Sequence, residues 1–191
     1  MSDDLQQLNR LIKQEADEIL YEKGLMEILQ AVGAPHVHGS YALDLMTWRD
    51  LDIYLQVENC PEADFFSLGA KICTVFRPVK MSFRNERIAK TQHLPNGLYW
   101  GVYLGNERNG AWKIDLWAVD RTEYARLSGY QDAIKKKLTP AHIASILTIK
   151  SQCWNDPGYR RAFSSADIYD AVIEKNVCDM EGFRSFLGKP E

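Results

Sequence analysis

From residue 3 to residue 32 the apolar positions Leu5, Leu8, Ile12, Ile19, Met26 and Leu29 recur at near-helical spacing among Glu, Gln and Lys. This predicts one long amphipathic helix, or two short ones if the chain bends near Gly24. Gly33, Ala34 and Pro35 end it. The pattern then changes period. His36–Gly39 reads as a short strand running into a Gly-Ser turn, Tyr41–Met46 as a helical turn, and Leu51–Val57 as a strand with strict alternation. The stretch from Pro61 to about Phe76 predicts a helix with proline in its first turn, where a missing N–H costs nothing. Beyond Pro78, three strand-like stretches follow: Val79–Arg84, Leu98–Leu104 and Ala111–Val119. The last two are joined by the hairpin-type connection Gly105–Gly110.

From Thr122 onward the periodicity is helical throughout, at about 122–137, 140–154, 165–176 and 179–187. Thr139 is the expected N-cap of the second of these with Pro140 at N1, and Asp156-Pro157-Gly158 breaks the chain before the third. The order predicts an α+β fold: a mixed β-sheet flanked by helices, followed by a C-terminal helical bundle. The shift near residue 122 places a domain boundary between 1–121 and 122–191.

Composition narrows the function. Hydrophobic residues make up 46% and charged residues 26% of 191, an ordinary globular balance. Net charge is −3, without the basic surplus of duplex-binding proteins, so nucleic acid is not the expected partner. Cys60, Cys73, Cys153 and Cys178 are spread without metal spacing and are expected to be small buried thiols. The acidic, polar N-terminus MSDDLQQLNR is not expected to act as a signal peptide, and no apolar run reaches the roughly 20 residues that span a bilayer. The expectation is a soluble, cytoplasmic protein without a membrane partner; the oligomeric state is left open.

The candidate chemistry lies in HGSYALDLMTWRDLDIYLQV, residues 38–57. Alternation puts Asp50, Asp52, Tyr54 and Gln56 on one strand face and Leu51, Ile53, Leu55 and Val57 on the other. In WKIDLWAVD, Ile114, Leu116 and Ala118 share one face, while Lys113, Asp115 and Trp117 share the opposite one. If the two strands are neighbours, three carboxylates converge. Hard divalent cations such as Mg²⁺ take this kind of oxygen donor set and keep sites for substrate phosphates. Gly39-Ser40 permits close backbone approach to a phosphate and supplies a hydroxyl. A DxD alone also fits a solvated strand edge; the ordered set is the stronger signal.

These residues resemble the signature of the DNA-polymerase-β-like nucleotidyltransferase superfamily, a Gly-Ser turn followed by two spaced aspartates and a third acid on a later strand. The resemblance covers about residues 33–120. It looks closest to small bacterial members that modify antibiotics, the aminoglycoside and lincosamide nucleotidyltransferases. The segment SSADIYDAVIEKNVCDMEGFRSFL also looks like the helical tail of such bacterial proteins, a less specific match. The resemblance implies transfer of a nucleoside monophosphate from an NTP, with ATP the expected donor, to a hydroxyl, releasing pyrophosphate. Asp50, Asp52 and Asp115 would be the catalytic and metal-binding residues for two Mg²⁺ ions, and Asp115 would help deprotonate the acceptor. Gly39, Ser40 and Lys150 would bind the nucleotide.

Other residues carry weaker signals. Lys150 lies on a stripe with Ile143, Ile146, Leu147 and Trp154, so a snorkelling side chain and a triphosphate ligand both fit. Lys113 is its rival, or a partner that screens the carboxylates. Arg84 and Arg87, with Glu86, are expected to form a solvated charge cluster. Trp117 shares the face of Asp115 and is the tryptophan that least resembles a core residue. His38 is expected to be structural and Asp44 a polar helix residue rather than a fourth ligand. Three functions remain open: a transferase for a small hydroxylated acceptor, antibiotic resistance included; an enzyme that adds AMP to a protein, as in toxin–antitoxin pairs; or a non-catalytic relic that binds a nucleotide or a partner.

Overall fold

The computed structural model describes residues 2–154, 156–159 and 161–188. The chain opens with helix α1 (Ser2–Asp17), a wider π turn over Glu18–Glu22 and helix α2 (Leu25–Gln30). The bend is at Gly24, whose φ of 76° supplies the left-handed residue that ends one helix and lets the next begin. The two-helix alternative for 3–32 is therefore the observed one. Next come β1 (Ala34–His38), the single-turn helix α3 (Gly39–Ala42), β2 (Asp50–Gln56) and α4 (Glu62–Phe76). These are followed by β3 (Lys80–Asn85), another single turn α5 (Glu86–Ala89), β4 (Gly97–Tyr103) and β5 (Lys113–Val119). The β4–β5 connection carries a short 3₁₀ turn at Glu107–Asn109. Four helices close the chain: α6 (Arg121–Lys137), α7 (Pro140–Cys153), α8 (Ser165–Lys175) and α9 (Met180–Leu187). Residues 155, 160 and 189–191 of the expected C-terminal unit lie outside the described residues.

The five strands form one mixed sheet in the order β1-β2-β5-β4-β3. Only the β2–β5 pair is parallel; β1–β2, β5–β4 and β4–β3 are antiparallel. Helices flank the sheet, so the expected α+β class is the observed one. Along β2, Leu51, Ile53 and Leu55 are fully buried while the alternate positions remain half-buried. At about 1.5–3 kcal/mol per fully buried side chain, that alternation fixes which face of β2 meets the core. This core packs Leu51, Ile53, Leu55, Ile114, Leu116 and Ala118 of the sheet against Leu20, Leu25 and Leu29 and against Phe65, Leu68 and Ile72 of α4. On the opposite face Tyr99, Trp117 and Val119 pack with Tyr54, Tyr124 and Leu127, so α6 covers part of it.

A second core joins the C-terminal helices through Ile146, Leu147, Ile149, Ile168, Val172 and Phe183. Leu43 and Leu45, from the segment before β2, are buried in it, and Leu5 of α1 packs against it. The caps follow the sequence. Thr139 Oγ1 accepts the His142 N–H at 3.2 Å ahead of Pro140, and Asp120 Oδ1 accepts the Glu123 N–H at 2.8 Å. All four cysteines are free thiols; Cys60 and Cys153 are buried as expected, but Cys73 and Cys178 are exposed. Among the described residues no helix is long and apolar enough to cross a membrane.

Candidate active site

Strand register builds the site. Because β2 and β5 run parallel, Asp52 lies directly opposite Asp115, and Asp50 opposite Lys113. One carboxylate oxygen from each of Asp50, Asp52 and Asp115 lies within 4.8 Å of the others. Asp115 is the half-buried exception on a strand otherwise buried along its length. Both of its oxygens have donors: Tyr99 donates its hydroxyl to Oδ1 at 2.5 Å, and Lys113 donates Nζ–H to Oδ2 at 2.5 Å. Burial, with the Asp50 charge adding to it, raises the Asp115 pKa above the usual carboxylate range, against the pull of Lys113 and Tyr99. Burial also raises Tyr99, so its hydroxyl stays protonated and donating.

Two glycines make room for these groups. Gly39 has φ 60°, and a Cβ there would overlap Asp52 Oδ2. Gly101, opposite Asp115 on β4, has the Tyr99 hydroxyl where its side chain would be. The Gly39 N–H donates to Gln131 Oε1 at 2.8 Å, which ties the turn to α6.

Lys150 is fully buried, not snorkelling. Its Nζ donates to Ser40 Oγ at 2.6 Å and to the Leu45 carbonyl at 2.7 Å, and lies 4.5 Å from the centre of the Trp48 ring. Burial pushes its pKa down to about 7, although Asp50 and Asp52 pull it upward. The Tyr169 hydroxyl lies 3.4 Å from Ser40 Oγ. The three aspartates, Gly39, Ser40 and Lys150 therefore occupy one region, where the ends of β1, β2 and β5 meet α7 and α8.

Lys113 is the screening partner and is buried. Its Nζ lies 4.0 Å from Asp50 Oδ1 as well as 2.5 Å from Asp115 Oδ2. Beside it a cleft opens, lined by Trp48, Arg49, Asp50, Glu107, Arg108, Lys113, Trp154, Asp156 and Tyr159. Gly39, Ser40 and Asp52 are not among its walls. Arg49 is held by a two-pronged ion pair with Glu15, at 2.5 and 2.6 Å, and this pair keeps the Glu15 carboxyl below its ordinary pKa.

Other expectations divide. His38 is buried edge-on against the rings of Tyr54 and Tyr124. Asp44 pairs with Lys13 and does not join the group formed by Asp50, Asp52 and Asp115. Trp117 is core: it packs on Tyr99, with ring centroids 4.7 Å apart. The expected solvated cluster at 84–87 is not one, because Glu86 is buried. It accepts Arg84 Nε at 2.7 Å and the Thr91 N–H at 2.9 Å, and these bonds offset its burial.

Tyr99 and Gln131 carry contacts that the sequence reading missed. The Tyr99 contact depends on the β4–β5 register, which sets Asp115 opposite Gly101, two residues along β4 from Tyr99. No local pattern marks Gln131, a polar residue on a helix that meets Gly39 only after folding.

The acidic trio suits a hard divalent cation. It offers three oxygens close together, one on a carboxyl whose charge is destabilised by burial and by Asp50, and a glycine keeps a Cβ out of the space beside Asp52. No family model matches the chain, nor does any curated protein. Among solved structures, it is similar to the polymerase core of TRAMP, an RNA surveillance complex, with 15% identity and a TM-score of 0.49 over 95% of this chain and 54% of that one. It is also similar to CdnC of E. coli MS115-1 with ATP, with 14% identity and a TM-score of 0.44 over 97% of this chain and 64% of that one. The chain thus spans less than two thirds of either structure, and neither likeness bears on which reaction the site performs.

Proposed function

We propose that the chain is a metal-dependent nucleotidyltransferase of the polymerase-β-like superfamily. It would move a nucleoside monophosphate from an NTP, with ATP the expected donor, to a hydroxyl of a small molecule, releasing pyrophosphate. The observation that carries this reading is the placement of Asp52 opposite Asp115 on parallel strands, with Asp50 beside them and Gly39 packed against Asp52. Asp50, Asp52 and Asp115 would hold Mg²⁺. Bound there, the ions would neutralise phosphate charge and make the acceptor hydroxyl more acidic.

The remaining residues have roles that follow from their contacts. Lys150 donates to Ser40 Oγ, which leaves the Ser40 hydroxyl proton available to a phosphate oxygen. Lys150 thus serves nucleotide binding through Ser40. As the resemblance implies, Asp115 would also help deprotonate the acceptor, its carboxylate oriented by the Tyr99 hydroxyl. In-line displacement places the attacking and leaving oxygens on opposite sides of phosphorus. With the leaving pyrophosphate at Gly39–Ser40, the acceptor enters from the cleft beside Asp50, where Trp48, Trp154 and Tyr159 can pack on a ring. A net charge of −3 supports a small acceptor over a polynucleotide, and an aminoglycoside- or lincosamide-like molecule belongs to this reading.

The test is incubation with α-labelled NTPs, Mg²⁺ and either a panel of hydroxylated small molecules, antibiotics included, or a cell lysate. A labelled small molecule supports the proposal. A labelled protein band moves the acceptor to proteins, and absence of transfer with every nucleotide leaves a binding protein.

A further inference from the structure

Lys113 lies where a cation would be needed. Its ammonium is buried, 2.5 Å from Asp115 Oδ2 and 4.0 Å from Asp50 Oδ1, so it bridges two members of the acidic trio. The other Asp115 oxygen is already committed to the Tyr99 hydroxyl at 2.5 Å. The ammonium therefore occupies the space beside Asp50 and Asp115 that a cation shared by the two carboxylates would take, and its like charge opposes that cation. For a divalent cation to sit between Asp50 and Asp115, that ammonium has to give way. Tyr99 is fixed by ring packing on Trp117 at 4.7 Å, whereas the lysine stem is flexible and lines the open cleft. Glu107 and Asp156 line the same cleft.

We propose that Lys113 is a resident counter-ion of the acidic trio, holding Asp115 and Asp50 together while no divalent cation is bound, and that the cation displaces its ammonium toward the Glu107–Asp156 side of the cleft. The proposal rests on the reading of the trio as a metal site. Lys113 is a positioning residue in it: it keeps three like charges on two strands from forcing the strand ends apart, and it sets the threshold of cation concentration at which the site fills. The two roles predict effects of opposite sign. Removing the ammonium destabilises the protein without metal and strengthens its hold on metal, whereas loss of a merely structural residue weakens both.

The experiment is Mn²⁺ titration, without nucleotide, of the full chain and of Lys113→Met, Lys113→Arg and Asp52→Asn, read by calorimetry and by the melting temperature at each concentration. Lys113→Met is expected to melt lower than the parent without metal and to bind Mn²⁺ at least about tenfold more tightly, the scale of one unit charge removed at about 4 Å. Lys113→Arg, which keeps the charge, stays within about threefold of the parent. Equal or weaker Mn²⁺ binding by a folded Lys113→Met overturns the displacement while leaving the metal site standing. Failure of every protein to bind Mn²⁺ overturns both the displacement and the metal-site reading. Should Lys113→Met not fold, lysine side-chain NMR of the parent decides. Titration with Mg²⁺ must shift the Lys113 ammonium resonance with the same midpoint as binding, and an unmoved resonance at saturating Mg²⁺ contradicts the proposal.

Discussion

Asp52 and Asp115 face each other across the one parallel strand pair of the sheet, and Asp52 Oδ2 fills the space that a side chain at residue 39 would need. The first consequence concerns Gly39. Alanine there must push Asp52 aside and hold φ near 60°, a conformation that costs an ordinary residue about 1–2 kcal/mol. Gly39→Ala is expected to lose about that much stability in a urea melt and at least about tenfold in nucleotide affinity. Gly129, on the exposed face of α6 with nothing within 4 Å of its would-be Cβ, is the control. Gly129→Ala should gain about 0.5–1 kcal/mol and leave nucleotide binding unchanged.

Tyr99→Phe removes the hydroxyl that donates to Asp115 Oδ1 and leaves the ring on Trp117. The fold should survive with a loss of about 1–2 kcal/mol. Transfer should fall by about tenfold or more, because the carboxylate loses one of the donors that orient it. Circular dichroism and the labelled-transfer assay, run on the same preparation, check both halves.

Lys150 gives an alkaline signature. Burial lowers its folded pKa from the ordinary 10.5 to about 7, so between those values the unfolded chain holds a proton that the folded chain has released. Stability contributed at this site is therefore lowest below pH 7 and rises as pH increases toward 10.5. In Lys150→Met that rise should be absent, and nucleotide affinity should fall because Ser40 loses its donor. Urea melts from pH 7 to 10 decide the first point: parallel pH profiles for parent and variant would contradict it.

His38 acts on the acid side. Its pKa is pushed down to about 4, first by burial and then by His36, from an ordinary 6.5. In that interval the unfolded chain takes up a proton that the folded chain refuses, so stability falls as pH drops from 6.5 toward 4. His38→Gln should flatten this part of the profile, the difference from the parent accumulating to about 2 kcal/mol. Denaturant melts between pH 7 and pH 4.5 measure it.

What the sequence reveals depends on whether a feature is local. Alternation along DLDIYLQ separates Asp50 and Asp52 from Leu51, Ile53 and Leu55 without reference to any other strand. The meeting of Asp115 with Asp52 needs a parallel pairing between strands more than fifty residues apart, which periodicity alone does not state. Lys150 shows the same limit: its stripe on α7 is legible, but its burial depends on Leu45 and Ser40 reaching it from before β2. Glu86 misled for a related reason. A carboxylate among two arginines has the pattern of surface charge, and only the fold shows the Thr91 N–H and Arg84 closing over it. Cys73 and Cys178, exposed on α4 and before α9, show that a small apolar residue is no guarantee of burial.

The central claim is that Asp50, Asp52 and Asp115 together hold a divalent cation for a nucleotide. The most direct measurement is calorimetric titration of the full chain and of Asp52→Asn with a non-hydrolysable ATP analogue, in the presence and absence of Mg²⁺. The account predicts binding that requires Mg²⁺ and weakens by at least about tenfold in Asp52→Asn, the scale of one lost charge-assisted ligand. Equal affinity with and without Mg²⁺, or equal affinity in the two proteins, would contradict it.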